Sequence, residues 1–472
     1  MSGRMWIRTD RRAIALGTMA LCAGFAIAIF AASACSNSNP AGAGIGTDAG
    51  GVASNPSSAA ITNDAGQSVK AFAAPGDPGA SAVYITISGE SNAIGGYPFP
   101  PGDWTNDTYM FDGWQFLIQK YIVNVDHVTL WANPDESPTD QSKHGTAVAH
   151  VDGPFVVDLH KGGNIVGQGG APEQATPIAV ILNQNDNGNA AFSPTDKYGF
   201  GFSTVAASYS GYNVNLGADE VSDFDYMVQH GYSVLYIGTA QWMGDKSPYG
   251  CTQTNAGAGA DSGLLFLDGG DDGGGAGVPT YVDGGYDFTK MPPSMTFRLG
   301  FSTPTNYVNC ENMTLQGTPN PGEDYPRGIQ ISTSQSTIAQ VTVHMDHPFW
   351  ESFAEDTPVH WDQIAAQYVG ASGVPEAHVE DMKGVPFYAF TDKTGTPLPW
   401  RNCSGQYYTP PGNGQMFFNP LSVPVDPGET DPSKAIRDYY DFIRYTQSTQ
   451  GHLNSQGLCY IDRQYPCPPG GS

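Results

Sequence analysis

Apolar side chains recur along this chain mostly at alternate positions in short runs, the period of a half-buried β-strand. "AVYITISGE" (82–90) sets the pattern, with Val83, Ile85 and Ile87 alternating with smaller or polar residues. "DGWQFLIQKYIVNVDHVTLWA" (112–132) is rich in β-branched and aromatic residues and places Tyr121, Val123 and Val125 on one face. The same reading covers "PFVVDLH" (154–160), "YGFGFSTVAAS" (198–208), "YSVLYIGTAQW" (232–242), "MTFRLGFST" (295–303), "GIQISTS" (328–334) and "AQVTVHM" (339–345). Gly, Pro and Asn punctuate the intervals. Short strands with turn-rich connections predict a mainly β protein: an antiparallel β-sandwich with a few short helices and a C-terminal α/β segment.

Helical spacing is confined to three places. "ADEVSDFDYMVQHG" (218–231) aligns Val221, Phe224 and Val228, with Gly231 as its stop. "TPVHWDQIAAQYVG" (357–370) has Thr357 to cap it, Pro358 at its first position and a stripe of Trp361, Ile364, Ala365 and Tyr368. "DPSKAIRDYYDFIRY" (431–445) turns Ile436, Tyr439, Tyr440 and Ile443 inward.

The N-terminus reads differently. Four arginines (Arg4, Arg8, Arg11, Arg12) precede an apolar run from Ala13 to Ala34, which ends in Ala32-Ser33-Ala34 before Cys35. This resembles a bacterial lipoprotein signal, with Cys35 as the lipidated first residue; Ala32 departs from the leucine usual there. Plain secretion and a spanning anchor are the alternatives for such a run. Residues 35–80 are Gly, Ala, Ser, Asn and Pro with few large apolar side chains, the composition of a flexible tether. The sandwich core is expected over 81–350, interrupted by a Gly/Asp-rich disordered insertion at 257–287 that joins two neighbouring strands. Residues 351–385 read as a helix-loop-helix like a degenerate EF-hand. No carboxylate lies between Ala366 and Pro375 to hold calcium. Residues 386–472 are expected to pack on the core.

The chain carries 20 Lys+Arg against 46 Asp+Glu. Without residues 1–34 (four arginines and Asp10) the balance is 16 against 45, a formal charge of −29. Nucleic acid and anionic lipid heads repel such a polyanion, so the expected membrane attachment is the lipid alone. Of the seven cysteines, Cys22 leaves with the signal and Cys35 is lipidated. An envelope address permits disulfides, and Cys251–Cys310 and Cys403–Cys459 are the expected pairs. Cys467 is left over, or displaces Cys459.

The clearest chemical signal is "QVTVHMDHPFW" (340–350). In strand register Val341 and Val343 face one way while Thr342, His344 and Asp346 face the other. Pro348 ends the strand at His347, close to both. Imidazole and carboxylate at that spacing suit copper or zinc, with a further ligand from His160, Glu351 or His360. The competing reading is a hydrogen-bonded His–Asp pair at an ordinary strand end. "ITISGESNA" (85–93) looks like the nucleophile block of SGNH-type esterases, with Ser91 as the serine. That family needs a late Asp-x-x-His, and Asp356 to His360 is one residue too long.

The succession "FLIQKYIVNVDHVTL", "YGFGF", "MVQHGYSVLYIGTA", "FRLGF…NC" and "VHMDHPFW…HWDQIAA" resembles a family of uncharacterised bacterial β-rich lipoproteins across residues 82–460. In layout it is similar to the methanobactin-associated periplasmic copper-binding proteins. The first resemblance implies a fold and an outer-membrane or periplasmic address; neither carries over a ligand. The sequence therefore predicts a non-enzymatic envelope lipoprotein that binds a ligand, a transition metal being the first candidate. An envelope hydrolase acting through Ser91, and a carbohydrate-binding or adhesive module using exposed aromatics, are the other readings.

Overall fold

The computed structural model describes residues 58–104, 109–249, 251, 286–351, 357–386, 391–396, 398, 401, 403–404 and 436–465. The signal segment, Cys35, Cys467 and nearly all of the insertion lie outside these residues. Within them the fold is mainly β, as the alternation predicts, and is built of two sheets.

Strand Trp114–Ala132 is the spine of the larger sheet. It pairs antiparallel with Val234–Trp242, Phe155–Asp158, Lys197–Thr204 and Ala147–Val151 along its length. One strand can serve so many partners because it bulges, once opposite Ile237 and Gly238 and again between Asp126 and Thr129. Both its faces are buried. Tyr121, Val123 and Val125 join the main core, while Ile122 packs with Val156, Leu235, Phe224 and Met227. The last two come from helix Val221–His230, which begins and stops as expected, Gly231 taking φ 67°.

The smaller sheet sets Val83–Ser88 between Thr337–Val343 and Gln174–Ile181, with Gly451–Leu453 beyond Thr337–Val343. Its Val83, Ile85, Ile87, Ala339, Val341 and Val343 meet Tyr121, Val123, Tyr236 and Phe301 of the larger sheet in one core. The sandwich is not purely antiparallel. Val83–Ser88 and Thr337–Val343 run parallel, joined through a long crossover that carries most of the larger sheet.

Several expectations change. Part of the expected tether is folded: strand Ser68–Ala71 pairs with Tyr212–Asn213 and buries Val69. The helix expected over 357–370 is one turn, Asp362–Ala365, continued by a 3-10 turn to Tyr368. Its intended first residues are extended instead, since Val359 bridges Met110 and Trp350. A distant residue, Asp112, takes the backbone N–H groups of Trp361 and Asp362 at 2.6 and 2.7 Å and so caps the turn. The second half of the expected EF-hand is likewise a 3-10 turn, Val379–Met382. The C-terminal segment does more than pack. After helix Tyr439–Ser448 it adds Gly451–Leu453 to the smaller sheet and Tyr460–Arg463 to the larger.

All four expected cysteines are bridged, but as Cys251–Cys403 and Cys310–Cys459. The insertion needs no disulfide at its base, because Val234–Trp242 and Ser294–Phe301 already pair directly. Strand Thr305–Val308 pairs with Tyr460–Arg463, Val308 opposite Tyr460, and this carries Cys310 to Cys459. Cys403 is brought to Cys251 as its N–H donates to Phe111 O at 2.7 Å. No helix among the described residues is long and apolar enough to cross a membrane.

Candidate metal centre

Strand Thr337–Val343 behaves as its pattern demands. Val341 and Val343 enter the core, while Thr342 accepts from Ser455 N at 2.9 Å on the other face. His344 follows on that same face. Pro348 then opens the 3-10 turn His347–Phe349, which holds His347 beside it. The third imidazole comes from the neighbouring strand, where His452 pairs with Thr342 and lies diagonally across from His344.

The His344 and His452 rings stack, with centroids 3.9 Å apart and planes 11° from parallel. His347 stands edge-on to both, at 5.4 and 5.3 Å. One nitrogen from each ring can be chosen so that all three lie within 4.8 Å of one another, and all three residues are buried. His347 also stacks on Trp350 at 3.8 Å.

Hydrogen bonds fix two of the tautomers. His344 Nε2 lies 2.8 Å from the Ser455 carbonyl oxygen, which can only accept, so Nε2 carries the proton and Nδ1 the lone pair. His347 Nδ1 lies 2.7 Å from Thr449 Oγ1, whose own hydroxyl donates to Thr446 O at 2.8 Å. Nδ1 of His347 is therefore the donor and Nε2 is left open. This is how metal-bound histidines are usually oriented, by a donated N–H to an outer acceptor. His452 has no such side-chain partner among the described residues; the backbone of Thr449 and Gln456 faces its ring.

Charge varies across the cluster. Burial, reinforced by His344, drives the pKa of both His347 and His452 well below the usual histidine value, so both are neutral near pH 7. Burial also pushes against the charged form of His344. The carboxylates of Glu90 and Asp346 outweigh it and hold that pKa above the usual value. Glu90 Oε1 is 3.3 Å from His344 Nε2. Its own pKa is raised to about 7, by burial first, with His344 pulling it back.

The other predicted residues go elsewhere. Asp346 is adjacent, but its Oδ2 accepts from Trp350 Nε1 at 3.0 Å. His160 bonds through Nδ1 to Ala93 O at 2.8 Å. His360 belongs to a separate buried network, with Nε2 2.8 Å from Glu351 Oε2 and Nδ1 3.8 Å from Asp112 Oδ2. Burial, then Arg401, depresses its pKa to about 3, while burial, then Asp112, raises that of Glu351. Nearby, Asp362 pairs with Arg401 through both oxygens. Ser91 stands half-buried in helix Glu90–Gly95, and no histidine hydrogen-bonds its side chain among the described residues.

The pattern of the sequence does not point to His452 or Glu90. The residues around His452 give no strand period, and its one available signal is a lone histidine before a buried leucine. Glu90 reads only as part of the Ser91 motif, and its φ of 61° is invisible in a sequence. No protein-family model, curated protein or solved structure matches the chain.

Proposed function

We propose that this is a cell-envelope lipoprotein whose folded domain binds a transition-metal ion, copper(II) or zinc, through His344, His347 and His452. One observation carries the reading. Three buried imidazoles, His344, His347 and His452, can each turn a nitrogen to within 4.8 Å of the others, and two of them have tautomers fixed by outer acceptors.

Imidazole ligands favour zinc, copper and nickel over calcium or magnesium. Parallel planes cannot both aim a lone pair at one ion, so loading turns one of the stacked rings. His344 is held by Ser455, which leaves His452 to turn. Because His344 holds its proton above the usual histidine range, binding displaces that proton and weakens as the solution acidifies. The other readings find less support. Tyr249 is the one aromatic among the exposed large hydrophobic residues of the described chain, a poor platform for stacking sugars.

The test is equilibrium dialysis of the purified protein against zinc and copper(II), with metal read by mass spectrometry. About one tight equivalent is expected in wild type. His452→Ala should weaken it at least tenfold with an unchanged circular dichroism spectrum. Equal isotherms for wild type and His452→Ala would overturn the reading.

A further inference from the structure

A second cluster lies on the protein surface, where the spine strand breaks its pairing with Lys197–Thr204 between Asp126 and Thr129. We propose that Asp126 and His127, with Asp152 orienting the His127 ring and His150 beside it, form a separate surface site for a zinc-class divalent ion.

Asp126 is the anchor. Its Oδ1 accepts the backbone N–H groups of His127 and Gly153 at 2.8 and 2.6 Å, and its side chain is 10% exposed. Its Oδ2 makes no hydrogen bond among the described residues and lies 3.7 Å from His127 Nε2. That gap is too long for a hydrogen bond. It approaches the roughly 3.4 Å that separates two donors each about 2.1 Å from one tetrahedral zinc ion.

The tautomer suits an ion too. His127 Nδ1 lies 2.9 Å from Asp152 Oδ1, so Nδ1 carries the proton and Nε2 offers its lone pair towards Asp126. His150 repeats the arrangement: Nδ1 meets Asp186 Oδ2 at 2.7 Å, and Nε2 lies 3.7 Å from the second oxygen of Asp152. Asp152 thus orients one imidazole with Oδ1 and faces the other with Oδ2. The backbone of His150 is clamped from both sides by the Asn185 amide, at 2.9 and 2.8 Å. Donor atoms of Asp126, His127 and Asp152 fall within 4.8 Å of one another. Among the described residues no lysine or arginine pairs with Asp126, Asp152 or Asp186; their ion-pair partners are His127 and His150. An imidazole ligand selects zinc-class ions over calcium. Exposure makes this site weaker and faster to exchange than the buried one.

Zinc dialysis isotherms separate the two sites in wild type, His127→Ala, Asp152→Asn and His452→Ala. His127→Ala and Asp152→Asn should each weaken the lower-affinity zinc at least tenfold and spare any tight equivalent. His452→Ala should leave the lower-affinity zinc in place, whether or not the buried centre binds. A hundredfold excess of calcium should not displace it. A lower-affinity class that is missing, that survives both surface substitutions, or that calcium displaces would overturn the proposal.

Discussion

Removing the Cys310–Cys459 bridge perturbs the fold and the candidate centre together. The bridge joins residues 149 apart in sequence. On the chain-entropy account, closing a loop of that length restricts the unfolded chain by about 5 kcal/mol. Cys251–Cys403 spans an overlapping stretch and shortens the effective loop, but the dependence is logarithmic and removes only a few tenths of a kcal/mol. The double variant Cys310→Ala/Cys459→Ala should therefore lose about 5 kcal/mol. The roughly 325 described residues at about 2 cal/mol/K each give a melting entropy near 0.65 kcal/mol/K, so Tm should fall by about 8 °C.

The same cut loosens the centre. Cys459 directly follows Gly457–Leu458, the strand that pairs with the His452 strand. Without the bridge, the hairpin is held by its short ladder to Thr337–Val343 and by its buried tip, where Asn454 bonds Gln340 N at 2.8 Å. Zinc affinity should drop by about tenfold, the size of an outer-shell loss. Calorimetry and zinc dialysis on the same preparation read both effects. A Tm within a degree of wild type would refute the entropy argument. An unchanged zinc isotherm would show that the ladder alone positions His452.

Other perturbations probe separate parts of the molecule. Asp362→Ala leaves Arg401 buried without its carboxylate and Trp114 Nε1 without its acceptor, so urea unfolding should show a loss of about 3–5 kcal/mol. Glu90 titrates at about 7 when folded, against 4.5 for a free glutamate side chain, so the folded protein keeps a proton that the unfolded chain has released between those values. Its contribution is full below pH 4.5 and is lost as pH rises through 7. Metal-free Glu90→Gln should thus gain about 3 kcal/mol on wild type between pH 4 and pH 8, and a pH-independent difference would count against this. Gly201→Ala places a Cβ 2.3 Å from the Tyr307 carbonyl oxygen and should destabilise by about 1–3 kcal/mol in the same urea assay. Cys35→Ser should move the protein from the membrane fraction to the soluble one; a soluble wild type would sink the proposed anchor.

How much is legible depends on whether a segment carries its own period. The spine strand and helix Val221–His230 do, and both stand close to where the pattern puts them. Gln174–Ile181 is hidden because Pro177 sits inside it, tolerated at the register shift opposite Ile85 and Thr86. Residues 58–80 read as tether from composition, yet buried Val69 and Phe72, with the strand pairing to Tyr212–Asn213, dock them. The cysteine pairing cannot be read at all. It follows from Thr305–Val308 meeting Tyr460–Arg463, a contact between segments about 150 residues apart.

That long-range pairing also explains why the centre is half visible. His344 and His347 are neighbours in sequence, so strand register and one proline bring them together. Glu90 ends the strand that starts the smaller sheet, and His452 lies in the last strand added to the other edge of Thr337–Val343. The three parts meet only after the chain has run through most of the larger sheet, which lies between the first two in sequence, and has returned through helix Tyr439–Ser448. Loop closure over such separations must precede any reward from the contacts, so assembly of the centre is late in folding. An ion that binds only the assembled cluster then stabilises the finished fold in proportion to the logarithm of its concentration over Kd, about 2.7 kcal/mol at a hundredfold excess. Because the bridge at Cys310 and Cys459 closes the same return, disulfide and ion act on one late step, and removing either should make the protein more dependent on the other.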